Sequence, residues 1–150
     1  MNASAVIVPK YGREIADALG ERLGPLSPLP VDDPNAVLSG FANPKMGEWI
    51  NSTLESDLAE KGAYDATAPF RNGSRLLEAE GGTYLRPTIV HCDSMEHVLA
   101  NREFLCPYAS VVEVPQAEML RSIGPTLVVT AITKDESFKR QLLGASNVER

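Results

Sequence analysis

The chain has 150 residues, 43% hydrophobic and 23% charged, a globular composition with room for one ordinary domain. A formal charge of -6 and a pI of about 4.9 exclude a phosphate-backbone partner, which would need clustered Lys and Arg, so no nucleic acid is expected. No apolar run approaches the roughly 20 residues that cross a bilayer, and no basic, apolar and small-residue series marks a secretory leader. No membrane partner and a cytoplasmic location are therefore expected, with residues 1–150 forming a single domain.

Residues 3–8 (ASAVIV) form a β-branched run that stops at Pro9, and three consecutive apolar residues suit a strand covered on both faces. Residues 11–23 carry Ile15, Ala18, Leu19 and Leu23 at helical spacing. Gly24-Pro25 is a stop signal, with Gly24 expected in the left-handed cap. Residues 24–43 hold four prolines, Pro25, Pro28, Pro30 and Pro34, and read as a wandering connection with one short strand or turn over 36–39. Asn43-Pro44 reads as an N-cap followed by Pro at the first helical position. Met46, Ile50, Leu54 and Leu58 then recur every fourth residue with Trp49 beside them, a stripe expected to face the core. Residues 61–73 read as a polar turn region, and 74–79 as a short strand before the Gly81-Gly82 turn. Residues 84–90 and 108–114 read as extended segments, with Pro87 placing the first at an edge or bulge. A short helix around Met119 ends at Gly124-Pro125. Residues 127–132 (LVVTAI) read as a further buried strand, and Thr133 with Glu136 as a capping box opening a last helix. Strands alternating with helices give an α/β class: a three-layer, mostly parallel sheet with flanking helices.

Candidate chemistry gathers in the loop between the extended segments 84–90 and 108–114. Cys92 and Cys106 lack a C-x-x-C partner and read as reduced, packed thiols. With only His91 and His97 to join them, no zinc spacing arises and no metal is expected. The two histidines read as surface or turn residues, and no catalytic triad is singled out by spacing. Cys106 would act as a nucleophile only with a depressed pKa, for which Arg102 four residues away is slight support. Glu103 lies between Arg102 and Phe104-Leu105. A carboxylate there suits two hydroxyl hydrogen bonds from a sugar, whereas its bland reading is a solvated carboxylate paired with Arg102. No glycine-rich phosphate fingerprint is present.

Residues 81–90 (GGTYLRPTIV), 99–114 (LANREFLCPYASVVEV) and 127–135 (LVVTAITKD), taken in order, resemble the C-terminal part of the aldehyde dehydrogenase catalytic domain. Residues 2–13 (NASAVIVPKYGR) resemble the segment that follows that family's nucleophilic cysteine. The resemblance implies an oxidoreductase family, with NAD or NADP as cofactor and an aldehyde as substrate. It puts Glu103 on the glutamate that binds the nicotinamide ribose, and no catalytic residue within the chain. Where the family has Phe against the nicotinamide the chain has Leu105, and Cys106 stands where Gly is usual, while Pro107 matches. The nucleophile would stand immediately before Met1, with the oxyanion Asn, the general-base Glu and the cofactor domain further upstream. The family also continues past Arg150. The isolated chain is thus expected to be inactive, a fragment of a catalytic domain. Two other readings compete with it: a non-catalytic module that associates with an intact dehydrogenase subunit, and an enzyme using Cys106.

Overall fold

The run Tyr108–Glu113 is apolar or small at nearly every position, which only a strand covered on both faces can bury. The computed structural model, which describes residues 3–149, places it at the centre of the fold. We number strands β1 (Ala5–Val8), β2 (Ala63–Asp65), β3 (Leu76–Ala79), β4 (Gly82–Leu85), β5 (Thr88–Cys92) and β6 (Tyr108–Glu113). The helices are α1 (Gly12–Leu23), α2 (Pro44–Leu58), α3 (Gln116–Ser122) and α4 (Glu136–Leu143). The main sheet has the order β1-β6-β5-β2, and β3-β4 form a separate hairpin. β6 runs parallel to both β1 and β5, while β2 closes the sheet antiparallel to β5.

Alternation along the strands sorts the core into two layers. Val90, Cys92, Tyr108 and Val112 pack on one face with Ile50 and Leu54 of α2; Ile89, Ala109 and Val111 pack on the other with Ala16 of α1. Ile7 joins the first face, and Val6 and Val8 the second, so β1 is covered from both sides as its sequence requires. The result is helix, sheet, helix: the expected three-layer α/β arrangement. Ile50 and Leu54 are 1% and 0% exposed, and burying each such side chain contributes about 2–3 kcal/mol.

Asn43 caps α2 as the sequence requires, its side-chain oxygen accepting from the Lys45 N–H at 3.2 Å with Pro44 at the first helical position. α1 docks through Gly20, where a Cβ would lie 2.2 Å from the Ala66 carbonyl oxygen. Gly24 follows α1 but stays right-handed (φ -57°, ψ -38°), so Pro25, not a left-handed glycine, ends the helix.

Several expectations are corrected. Residues 84–90 are not one segment: β4 belongs to the hairpin and β5 to the main sheet. Pro87 sits at the crossing between them, where its missing N–H leaves no ladder bond unmade, and β5 beyond it is an interior strand. The polar stretch 61–73 contains β2, which propensity hides because its length is three residues and its anchor is Asp65. Residues 36–39 form no strand; nearby, Phe41 makes a single antiparallel bridge to Thr83. Residues 127–132 form no strand either. Leu127 is 69% and Ile132 100% exposed, and beside that run only Thr126 bridges to Val148. β-branched residues do not make a strand without a neighbour to supply a ladder. The cap of α4 is Asp135, whose carboxylate accepts from the N–H groups of Ser137 and Phe138 at 2.8 and 3.1 Å; Thr133 accepts from the Asp135 N–H instead. A carboxylate wins that position because it satisfies two helix N–H groups and faces the positive end of the helix.

Candidate functional site

The Glu103 segment enters the fold at the edge where three parallel strands begin. Thr88 of β5 lies opposite Tyr108 of β6, and Ala5 of β1 opposite Ser110, so the amino ends of all three meet there. Open α/β sheets ordinarily bind ligands at the carboxyl edge, and the Glu103 segment lies at the opposite one.

Along residues 102–107 alternate side chains are held, and the chain bends over 105–107 into β6. The Arg102 guanidinium donates to Asp57 of α2 from Nε and Nη2, at 3.2 and 3.1 Å. Phe104 is buried edge-on between Tyr108 and Trp49, with ring centroids 5.0 and 6.5 Å away. Cys106 is buried, and the Pro107 carbonyl accepts from the Thr88 N–H at 2.8 Å. The intervening residues, Glu103 and Leu105, face solvent, Leu105 at 88% exposure. Glu103 makes no hydrogen bond or ion pair with any described residue, because Arg102, its expected partner, is committed to Asp57. An exposed carboxylate with free lone pairs can accept from two hydroxyls, as a sugar diol offers them.

Beside this segment, the first turns of α2 depart from the expected core stripe. Met46 is 42% and Trp49 57% exposed; the buried stripe begins at Gly47 and Ile50. The two exposed side chains, with Asn43 and Lys45, line an open cleft of about 330 Å³. Periodicity gave no sign of this, since it locates a helix face but not where the covering layer ends.

A buried ionic hub lies under the start of β5. Asp65 accepts from Arg71 and Arg75, each at 3.0 Å, and from Thr67. Arg71 Nη2 also donates to the Pro87 carbonyl at 3.1 Å, and so fixes the turn to which Pro107 is bonded. Burial alone would raise the Asp65 carboxyl, but the Thr67 hydrogen bond and the Arg71 and Arg75 guanidinium groups hold it below the usual carboxylate range. Burial, with Arg75 and Arg86 nearby, lowers Arg71, though a guanidinium stays charged throughout. No sequence pattern announced this hub.

The thiols are unsuited to attack. Burial, assisted by Asp93, pushes Cys92 up to about 12; burial, against Arg75, pushes Cys106 up to about 11. Cys92 Sγ lies 4.0 Å from His97 Nδ1, but that nitrogen already accepts from the Leu99 N–H at 3.1 Å and does not act as a base toward the thiol. His91 is no surface residue: it is buried on β5 against Tyr64, at 5.2 Å between centroids, with Nδ1 3.6 Å from Asp93. Burial lowers its pKa, against the pull of Asp93. Among the described residues no three His, Cys, Asp or Glu side chains gather as a metal site would need, and no helix is long and apolar enough to cross a membrane.

The sheet order and layers give an α/β fold that the chain shares with aldehyde dehydrogenases of known structure. The chain is similar in structure to a mutant form of aldehyde dehydrogenase from Bacillus cereus, with a TM-score of 0.76 and 17% identity over 97% of this chain and 29% of that one. It is also similar to that enzyme in its NAD+ complex, with a TM-score of 0.74 and 17% identity over 95% and 28%. A 1-pyrroline-5-carboxylate dehydrogenase gives a TM-score of 0.72 and 18% identity over 95% and 27%. No family model and no curated protein matches the sequence. The chain thus spans less than a third of the length of the enzymes whose fold it shares.

Proposed function

We propose that this chain is the part of an aldehyde-dehydrogenase-type catalytic domain that holds the ribose of NAD or NADP, with Glu103 accepting from the ribose hydroxyls. The observation that carries this reading is the free, exposed Glu103 carboxylate on a segment pinned at Arg102, Phe104 and Pro107. The residues fit the cofactor in part: Glu103 offers the hydroxyl acceptor, while Leu105 offers no ring where the family has one. When bound, the cofactor supplies the hydride acceptor for aldehyde oxidation. Glu103 orients it, and the anchored segment keeps that orientation fixed.

On this reading the nucleophile, general base and dinucleotide-binding domain are supplied by residues outside this stretch, and the stretch alone does not turn over. Burial of both thiols supports that, and weighs against the reading in which Cys106 attacks. Reduced thiols also accord with a cytoplasmic location. The test is the purified chain with aldehyde and NAD+: we expect no NADH above background, and thiol-dependent turnover would refute the reading.

A second reading, association with an intact dehydrogenase subunit, is favoured by the exposed Leu127, Ile132 and Leu143. Co-purification with such a subunit, lost on Ile132→Glu, is its expected signature.

A further inference from the structure

The loop between Arg71 and Arg75 carries an Asn72-Gly73 pair that the proposed function leaves unused. Both residues are exposed and lie outside every helix and strand. Neither the Asn72 side-chain amide nor the Gly73 N–H finds a hydrogen-bond partner among the described residues. Gly73 sits at φ +93°, and a Cβ there would meet nothing within 4 Å, so nothing else in the fold crowds the peptide bond that joins the pair. One group does touch that bond. Arg86 donates from Nη1 to the Asn72 carbonyl oxygen, and its backbone N–H donates to the Arg75 carbonyl at 2.9 Å, so it straps the loop at both ends. The guanidinium groups of Arg71, Arg75 and Arg86 all attend this loop, and Asp65 is the one carboxylate that pairs with any of them among the described residues.

We propose that Asn72-Gly73 is a deamidation site activated by the Arg86 guanidinium. The nucleophile is the Gly73 nitrogen after loss of its proton. The charge of that anion is shared with the Asn72 carbonyl oxygen, to which Arg86 donates, so the strap stabilises the reacting form. Hydroxide takes the Gly73 proton and the nitrogen attacks Asn72 Cγ. The N–Cγ bond forms, the Cγ–Nδ2 bond breaks, and Nδ2 takes a proton from water and leaves as ammonia. Water then opens the cyclic imide at one carbonyl or the other, giving aspartate or isoaspartate at position 72 with no change of oxidation state. Isoaspartate adds a methylene to the main chain between the two arginines that hold Asp65, and so loosens their joint grip.

The test incubates the purified chain near neutral pH, folded in buffer and unfolded in urea, and follows the Asn72 peptide from amide to acid by mass spectrometry. We expect the folded chain to convert about tenfold faster than the unfolded one, the effect of one charge-assisted hydrogen bond to the anion. Arg86→Gln, with its fold checked by circular dichroism, should convert at the slow rate in both states, and Arg86→Lys should recover part of the folded-state rate. The isoaspartate fraction, isolated by ion exchange, should unfold at lower urea than Asn72→Asp, which carries the new charge without the extra methylene; equal midpoints would refute the loosening of the Asp65 grip. If the folded chain converts no faster than the unfolded one, a comparison that needs no variant, the fold does not activate the site and the proposal is refuted. If it converts faster but Arg86→Gln keeps pace with it, Arg86 is not the activating group and the proposal equally fails.

Discussion

Residues 108–113 and 127–132 both read as strands in the sequence, each around a Val-Val pair, and they end in opposite states. The first is the central strand, with Val111 and Val112 at 0% exposure; the second has Val128 at 52% and Ile132 at 100%. The difference lies in their neighbours. β6 has β1 on one side and β5 on the other, and a helix over each face. The run at 127–132 has no ladder and no covering layer among the described residues. Strand character in this fold is conferred by neighbours far away in sequence, and composition only permits it.

The sharpest way to break the comparison is to put one charge into each run. Val111→Asp buries an unpaired carboxylate and should abolish cooperative unfolding altogether, whereas Val128→Asp should alter stability by no more than about 0.5 kcal/mol in urea denaturation. Equal effects would show that the second run is buried in solution.

Next in size is the hub that fixes where β5 begins, a device the exposed run lacks. Asp65→Ala strands Arg71 and Arg75 and should cost about 3–5 kcal/mol, read as a fall in the urea midpoint at unchanged slope. Because the folded-state pKa of Asp65 is depressed, its contribution is complete above the unfolded value near 3.9 and is lost as pH falls through the folded one. Asp65→Ala should therefore flatten the acid limb of the stability profile.

Removing part of the covering layer gives a similar or smaller effect. Leu54→Ala leaves a cavity over β5 and should cost about 2–5 kcal/mol, while Leu143→Ala, at 88% exposure, should lie within about 0.5. The smallest effect belongs to His91, whose folded-state pKa is also depressed. The unfolded chain takes up its proton first, so stability from this residue is complete above roughly pH 6.5 and declines below it. His91→Gln should remove that decline between pH 7 and 5, and an unchanged slope would mean the ring is solvated.

What sequence reading found and missed follows the same logic. α1, α2, β1 and β6 were legible because period and caps agree with where each element packs: Asn43 and Pro44 open α2, and Pro9 follows β1. β2 was not, because its hold on the sheet is the ionic partnership of Asp65 with arginines 6 and 10 residues on, which no periodicity records. The break at Pro87 was visible, but not that the chain changes sheets there. Glu103 was legible as a candidate through its loop and the motif around it. Its freedom from Arg102 was not, since that depends on Asp57, which lies 45 residues earlier. Trp49 was misplaced for a related reason: a stripe gives direction, but not the extent of the surface it faces.

The docking of α1 through Gly20 carries a consequence for how this chain tolerates change. Helix propensity favours replacing a mid-helix glycine by alanine, by roughly 1 kcal/mol. A methyl group at Gly20 would meet the Ala66 carbonyl oxygen at 2.2 Å, whereas one at Gly144 finds nothing nearer than 3.5 Å. In a library selected only for folding, position 20 should stay fixed as glycine while position 144 drifts. That ordering reverses what a propensity table ranks, and marks the line along which helix and sheet must keep changing together.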